Sequence, residues 1–182
     1  MKNLSILFFA LFSVSLFSCK DNTKEAELEV VTVDTSADVK KSYEVAQTDV
    51  VFNDSKVEAI FEHYLKVETA LVNTDAEGAS IAAKDLASLL KEVEADEEVQ
   101  KSVSEMASSD NIELQRKNFE HLSDGMEKML EGALSSGSLY KQYCPMAFNN
   151  RGASWISSSK DILNPYFGDK MLKCGRVDAE IK

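Results

Sequence analysis

Residues 55–73 read SKVEAIFEHYLKVETALVN, and the spacing inside this stretch decides the fold. Ser55 with Glu58 matches a capping box, and Val57, Ile60, Phe61, Tyr64 and Leu71 follow at three- and four-residue intervals. That pattern predicts a helix over 56–73 with one apolar face. Working outward, Thr74 with Glu77 opens a second pattern over 76–94, carried by Ala79, Ala82, Leu86, Leu89, Leu90 and Val93. Its small residues Gly78, Ala79, Ala82 and Ala83 allow close approach to a neighbour. A shorter segment over 97–108 uses Val99, Val103 and Met106. Asp110 with Glu113 begins the last, over 111–134, with Phe119, Leu122, Met126, Met129, Leu130 and Ala133. Each one-sided helix has to bury its face against another, so the expected fold is all-α: a small antiparallel helical bundle.

After Ser135-Ser136-Gly137-Ser138 the character changes. Residues 139–175 hold both prolines and the only tryptophan, many turn formers, and no sustained helical period. An irregular C-terminal segment rich in Cys, Met and aromatic residues is expected to pack on the bundle and to carry functional groups in its loops.

Before residue 55 the sequence reads differently again. Lys2 precedes an apolar run from Leu4 to Phe17, too short to cross a bilayer comfortably and suited to a secretion leader. Leu16-Phe17-Ser18-Cys19 resembles the bacterial lipobox, which implies cleavage after residue 18 and lipidation of Cys19. The expected organisation is a signal peptide over 1–18, a lipidated cysteine and acidic tether over 19–54, and a helical domain over 55–182. Within the tether, Leu28–Val33 could form a strand and Val50–Phe52 could pack on the domain. The expected location is the cell envelope, anchored to the outer membrane, on either its periplasmic or its surface side.

Charge narrows the classes further. Twenty Lys and Arg against 31 Asp and Glu give a formal net charge of -11, which opposes nucleic-acid binding. Only two histidines are present, so multi-histidine metal centres are excluded. There is no GxSxG hydrolase motif and no CxxC pair, and no enzymatic role is expected. The acidic clusters on the helices read as a solvated face.

Two thiols remain beyond the leader, Cys144 and Cys174, with Met146 and Met171 close in sequence. Thiolates and thioethers are soft donors that suit Cu(I), and a Cys, Cys, Met set suffices for three-coordination. Zinc would require further ligands from His63 or His121. His121 is the better candidate, since its helix runs into the sulfur-rich segment. Trp155 and Phe167 could shield such an ion from water. The competing reading is a Cys144–Cys174 disulfide, which an oxidising envelope favours, and unpaired thiols are the third. Met126 and Met129 read as core packing.

The string from Tyr143-Cys144-Pro145-Met146-Ala147, through Gly152, Ala153 and Trp155, to Asn164-Pro165-Tyr166-Phe167-Gly168, Met171 and Cys174-Gly175 resembles a domain of unknown function. That domain occurs in Bacteroidetes lipoproteins and is also fused to periplasmic adaptor subunits of heavy-metal efflux pumps. Tyr64-Leu65, Gln115-Arg116, Phe119 and Leu122-Ser123 resemble its helical part. The resemblance implies a lipoprotein that buffers copper or passes it to an efflux adaptor. Ala147 departs from the adaptors' short metal motif, in which a histidine follows the methionine. The alternative is a structural or protein-interaction domain stapled by Cys144–Cys174.

Overall fold

The computed structural model describes residues 42–47 and 49–182. The leader, Cys19 and the Leu28–Val33 run lie outside the described residues. Four helices follow one another: α1 (Ser55–Val72), α2 (Ala76–Glu92), α3 (Glu97–Ala107) and α4 (Ile112–Leu130). Loops of three or four residues join them, so sequential helices pack side by side and run antiparallel.

Each helix start is capped, and three of the caps stand one residue from the expected box. Asp54 accepts from the Lys56 amide, Asp75 from Gly78, and Asn111 from Glu113 and Leu114. Asp96 caps α3. Thr74 cannot cap α2, because its backbone is left-handed (φ 55°) where a cap must be extended. Its hydroxyl serves Arg116 instead. Gly78 lies against its own cap, Asp75. Gly125 of α4 is the closer helix contact, since a Cβ there would run into Val99 of α3.

The core runs from Ile60, Phe61, Tyr64 and Leu71 of α1 through Leu86 and Leu90 of α2, and Val103 and Met106 of α3, to Phe119, Leu122 and Met126 of α4. Helix α4 stops at Leu130, short of the expected 134. Gly132 takes a left-handed turn (φ 67°), and β2 (Leu134–Ser136) pairs with β1 (Val51–Phe52). The described stretch before α1 is therefore attached to the bundle. Besides β1, the amide and carbonyl of Tyr43 exchange bonds with the side-chain amide of Asn73, both 2.8 Å, at the far end of α1.

The C-terminal segment follows the bundle as expected and is more regular than its sequence suggests. β3 (Leu139–Cys144) is the centre of a three-stranded antiparallel sheet, with β4 (Ala153–Ser157) on one side and β5 (Arg176–Ile181) on the other. A bulge interrupts the β3–β5 register between Lys141 and Gln142. β4 packs on α4, and its Ile156 amide donates to the Tyr64 hydroxyl (3.0 Å), which also bonds Ser123 Oγ (2.8 Å). One phenol thus links α1, α4 and the sheet.

Candidate functional site

Cys144 ends β3 opposite Ala153 and is fully buried. Cys174 stands just before β5 and is partly exposed. The antiparallel pairing of β3 with β5 returns the chain to its starting point, and it brings the two Sγ atoms to 2.7 Å. A disulfide bond is about 2.05 Å, so the two sulfurs lie near bonding distance. The structure carries the pair as two thiols. Burial, followed by the hydrogen bond to Cys144 and its charge, pushes the Cys174 thiol up to about 11, and the Met146 amide bonded to it acts in the opposite direction.

Asn164 organises the surroundings. It is fully buried, and its amide nitrogen donates to the Cys174 carbonyl (2.6 Å) while its Oδ1 accepts the Tyr166 (2.8 Å) and Phe167 (3.1 Å) amides. Its backbone also bonds Leu172 and Gly168. Tyr166 donates its hydroxyl to the Ser154 carbonyl, and its ring meets Phe119, Phe148 and Trp155 with centroids 5.3–6.0 Å apart.

Arg116 attaches this segment to the bundle. Its buried guanidinium donates to the Pro165 carbonyl (2.9 Å), the Leu71 carbonyl (3.3 Å), Thr74 Oγ1 (3.1 Å) and Glu113 Oε1 (3.0 Å). Gly168 closes the contact, since a Cβ there would meet Thr74 and Arg116.

Following Cys144-Pro145, three consecutive residues adopt left-handed backbone: Phe148, Asn149 and Asn150, with φ of 50°, 59° and 65°. Non-glycine residues visit that region singly at a cost, so a run of three requires support from its surroundings. Phe148 receives it from the Tyr166 ring on one side and the Arg151 guanidinium on the other. Arg151 is held by both carboxylate oxygens of Glu120 (2.6 and 2.7 Å). Between this turn and the Tyr166–Lys170 segment opens a cleft of about 480 Å³, with Met146 and Phe148 on one wall and Phe167 and Lys170 on the other.

The sequence candidates separate accordingly. Cys144 and Cys174 come together. Met146 and Met171 meet the pair through their backbones: the Met146 amide bonds the Cys174 sulfur, and the Met171 carbonyl accepts the Cys174 amide. The Met146 side chain is 48% exposed. His121 faces Glu98 of α3 at 3.6 Å, beside Asp124 and Met129 in a separate cleft between α3 and α4. His63 bonds the Ala59 carbonyl and Lys66 on α1. Among the described residues no three His, Cys, Asp or Glu side chains gather as a metal centre. Two residues central to the site, Arg116 and Asn164, stand in the sequence reading only among the residues of the resemblance and not as site candidates. A lone arginine on the apolar side of a helix was the available signal for the first.

Residues 60–137 match the model of a family described as a protein of unknown function, DUF3347. A DUF3347 domain is present. It spans most of α1, all of α2–α4 and β2, and it ends before β3, so the cysteine pair and Asn164 lie outside the matched region, while the cleft is lined from both sides of its boundary, by Glu113 and Arg116 within it and by residues 146–170 beyond it. No curated protein and no solved structure matches the chain.

Proposed function

We propose that the chain is a non-enzymatic envelope lipoprotein, anchored through Cys19, whose DUF3347 bundle presents a C-terminal sheet stapled by a Cys144–Cys174 disulfide for protein interaction. The observation that carries this reading is the 2.7 Å approach of the two sulfurs. A leader that exports the chain would place the pair in an oxidising compartment, where such a bond forms and persists. Peptide mapping of the full chain without reductant tests the reading: one peptide joined through Cys144 and Cys174 is expected, and two separate free-thiol peptides would overturn it. Anchoring is tested by Cys19→Ser, which is expected to abolish fatty-acid incorporation and release the protein from the membrane fraction.

The second reading is a soft-metal module that takes Cu(I) for buffering or transfer to a heavy-metal efflux adaptor. Its support is the same convergence of two sulfur donors, with a methionine flanking each in sequence. In that case Cys144 and Cys174 would be the thiolate ligands, with Met146 or Met171 completing the set. Anaerobic Cu(I) titration of the reduced chain separates the two readings. Stoichiometric uptake with sulfur neighbours in X-ray absorption selects the metal, and a stable bridge without uptake selects the staple.

A further inference from the structure

We infer that Cys174 is the entry point for thiol–disulfide exchange and that its bond with Cys144 locks one wall of the neighbouring cleft, an inference that rests on the disulfide reading above. The two sulfurs are not equivalent. Cys144 is sealed at the end of β3 with no exposed surface, whereas Cys174 sits partly exposed in the loop before β5. Exchange requires a thiolate to reach a sulfur, so an external dithiol can attack only Cys174.

The step balances as follows. One thiolate of the dithiol bonds Cys174 Sγ, the Cys144–Cys174 bond breaks, and its electron pair leaves on Cys144 Sγ, which takes up a proton. The second thiolate of the reductant then attacks its own partner sulfur in the mixed disulfide. Cys174 leaves with that electron pair and is protonated. Two electrons have passed to the protein, which holds two thiols, and the reductant has become a disulfide. Burial and the adjacent Cys144 keep the Cys174 product in its thiol form.

What the bond holds follows from its neighbours. Cys144 is joined through Pro145 to Met146 and so to the left-handed turn at Phe148–Asn150. Cys174 reaches the opposite wall through Asn164, whose Oδ1 fastens Tyr166 and Phe167. The two walls differ in what remains once the bond is cut. The second wall is still pinned to the bundle by Arg116 on Pro165. The first wall is held at its two ends by the β3–β4 ladder, and between them it retains bonds within the turn, ring contacts and the Arg151–Glu120 pair, set against three disfavoured backbone conformations. Reduction therefore loosens the Met146–Gly152 turn selectively.

The test compares the full chain, oxidised and after treatment with a dithiol protein, by hydrogen–deuterium exchange and mass mapping. Amides of residues 146–152 are expected to exchange at least about tenfold faster after reduction, with those of α1–α4 unchanged. A form of the dithiol protein lacking its second cysteine is expected to be trapped on Cys174. Trapping on Cys144, a bond that resists the dithiol until the chain unfolds, or equal exchange of the turn in both forms would overturn the inference. If the chain isolated without reductant is not lighter by two hydrogens than the reduced chain, the staple reading itself has failed, and the lock fails with it.

Discussion

Replacing Arg116 with alanine should detach the C-terminal segment from the bundle. Arg116 is 1% exposed and its guanidinium supplies the hydrogen bond to the Pro165 carbonyl, while the Leu71 carbonyl is also served by the Thr74 amide. Removing it strands one buried carbonyl, at about 1–3 kcal/mol. Its three buried methylenes contribute about 2 kcal/mol more. The expected loss is about 3–5 kcal/mol, or a urea midpoint lower by about 2 M for a domain of this size. Arg116→Lys should recover only part of that, because one ammonium cannot reach Pro165, Leu71 and Thr74 together. Glu113→Gln should cost under about 1 kcal/mol, since that carboxylate is 66% exposed and the pair is screened. Urea unfolding followed by circular dichroism reports the helices. Fluorescence of buried Trp155, edge-on to Tyr166, reports the tail. In Arg116→Ala the fluorescence transition should precede the helical one. A loss below about 1 kcal/mol with coincident transitions would refute the assignment of Arg116 as the link between bundle and tail.

Three further outcomes follow from the same geometry. The Cys144→Ser, Cys174→Ser double variant should lose about 3.7 kcal/mol relative to the oxidised chain through the freed 30-residue loop, and phosphine reduction should add no further loss in the variant. Tyr64→Phe should lose about 1–3 kcal/mol in urea unfolding, because it orphans the buried Ile156 amide, and a value near zero would show that another group takes up that amide. Burial of Glu68 raises its carboxyl well above the ordinary 4.5, so the folded state binds this proton more tightly than the unfolded chain. The contribution of Glu68 is therefore intact below about pH 4.5 and drains away as pH rises through the folded value. Glu68→Gln should flatten that decline in a pH series of urea midpoints, and an unchanged slope would place the carboxyl in water.

The four helices were legible in the sequence because helical information is local: apolar residues three and four apart share a face wherever the helix lies. The caps were legible only to within a residue, since whether Thr74 or Asp75 closes α2 depends on a backbone angle and on Arg116, 42 positions away. β3 was hidden for a different reason. LYKQYC buries Leu139, Gln142 and Cys144, so its polar and apolar residues do not alternate, and pairing with β5 joins Leu139 to Ile181 across the whole tail. Gln142 can be fully buried because its side-chain nitrogen reaches the Ser159 and Asp161 carbonyls, partners that the local sequence does not identify. The sequence alone determined which sulfur atoms were available, Cys144 and Cys174 with Met146 and Met171 beside them. The tertiary structure decided which of them meet, because the separation of two sulfurs 30 residues apart is set by strand register and by Asn164, and neither is a property of the residues between them.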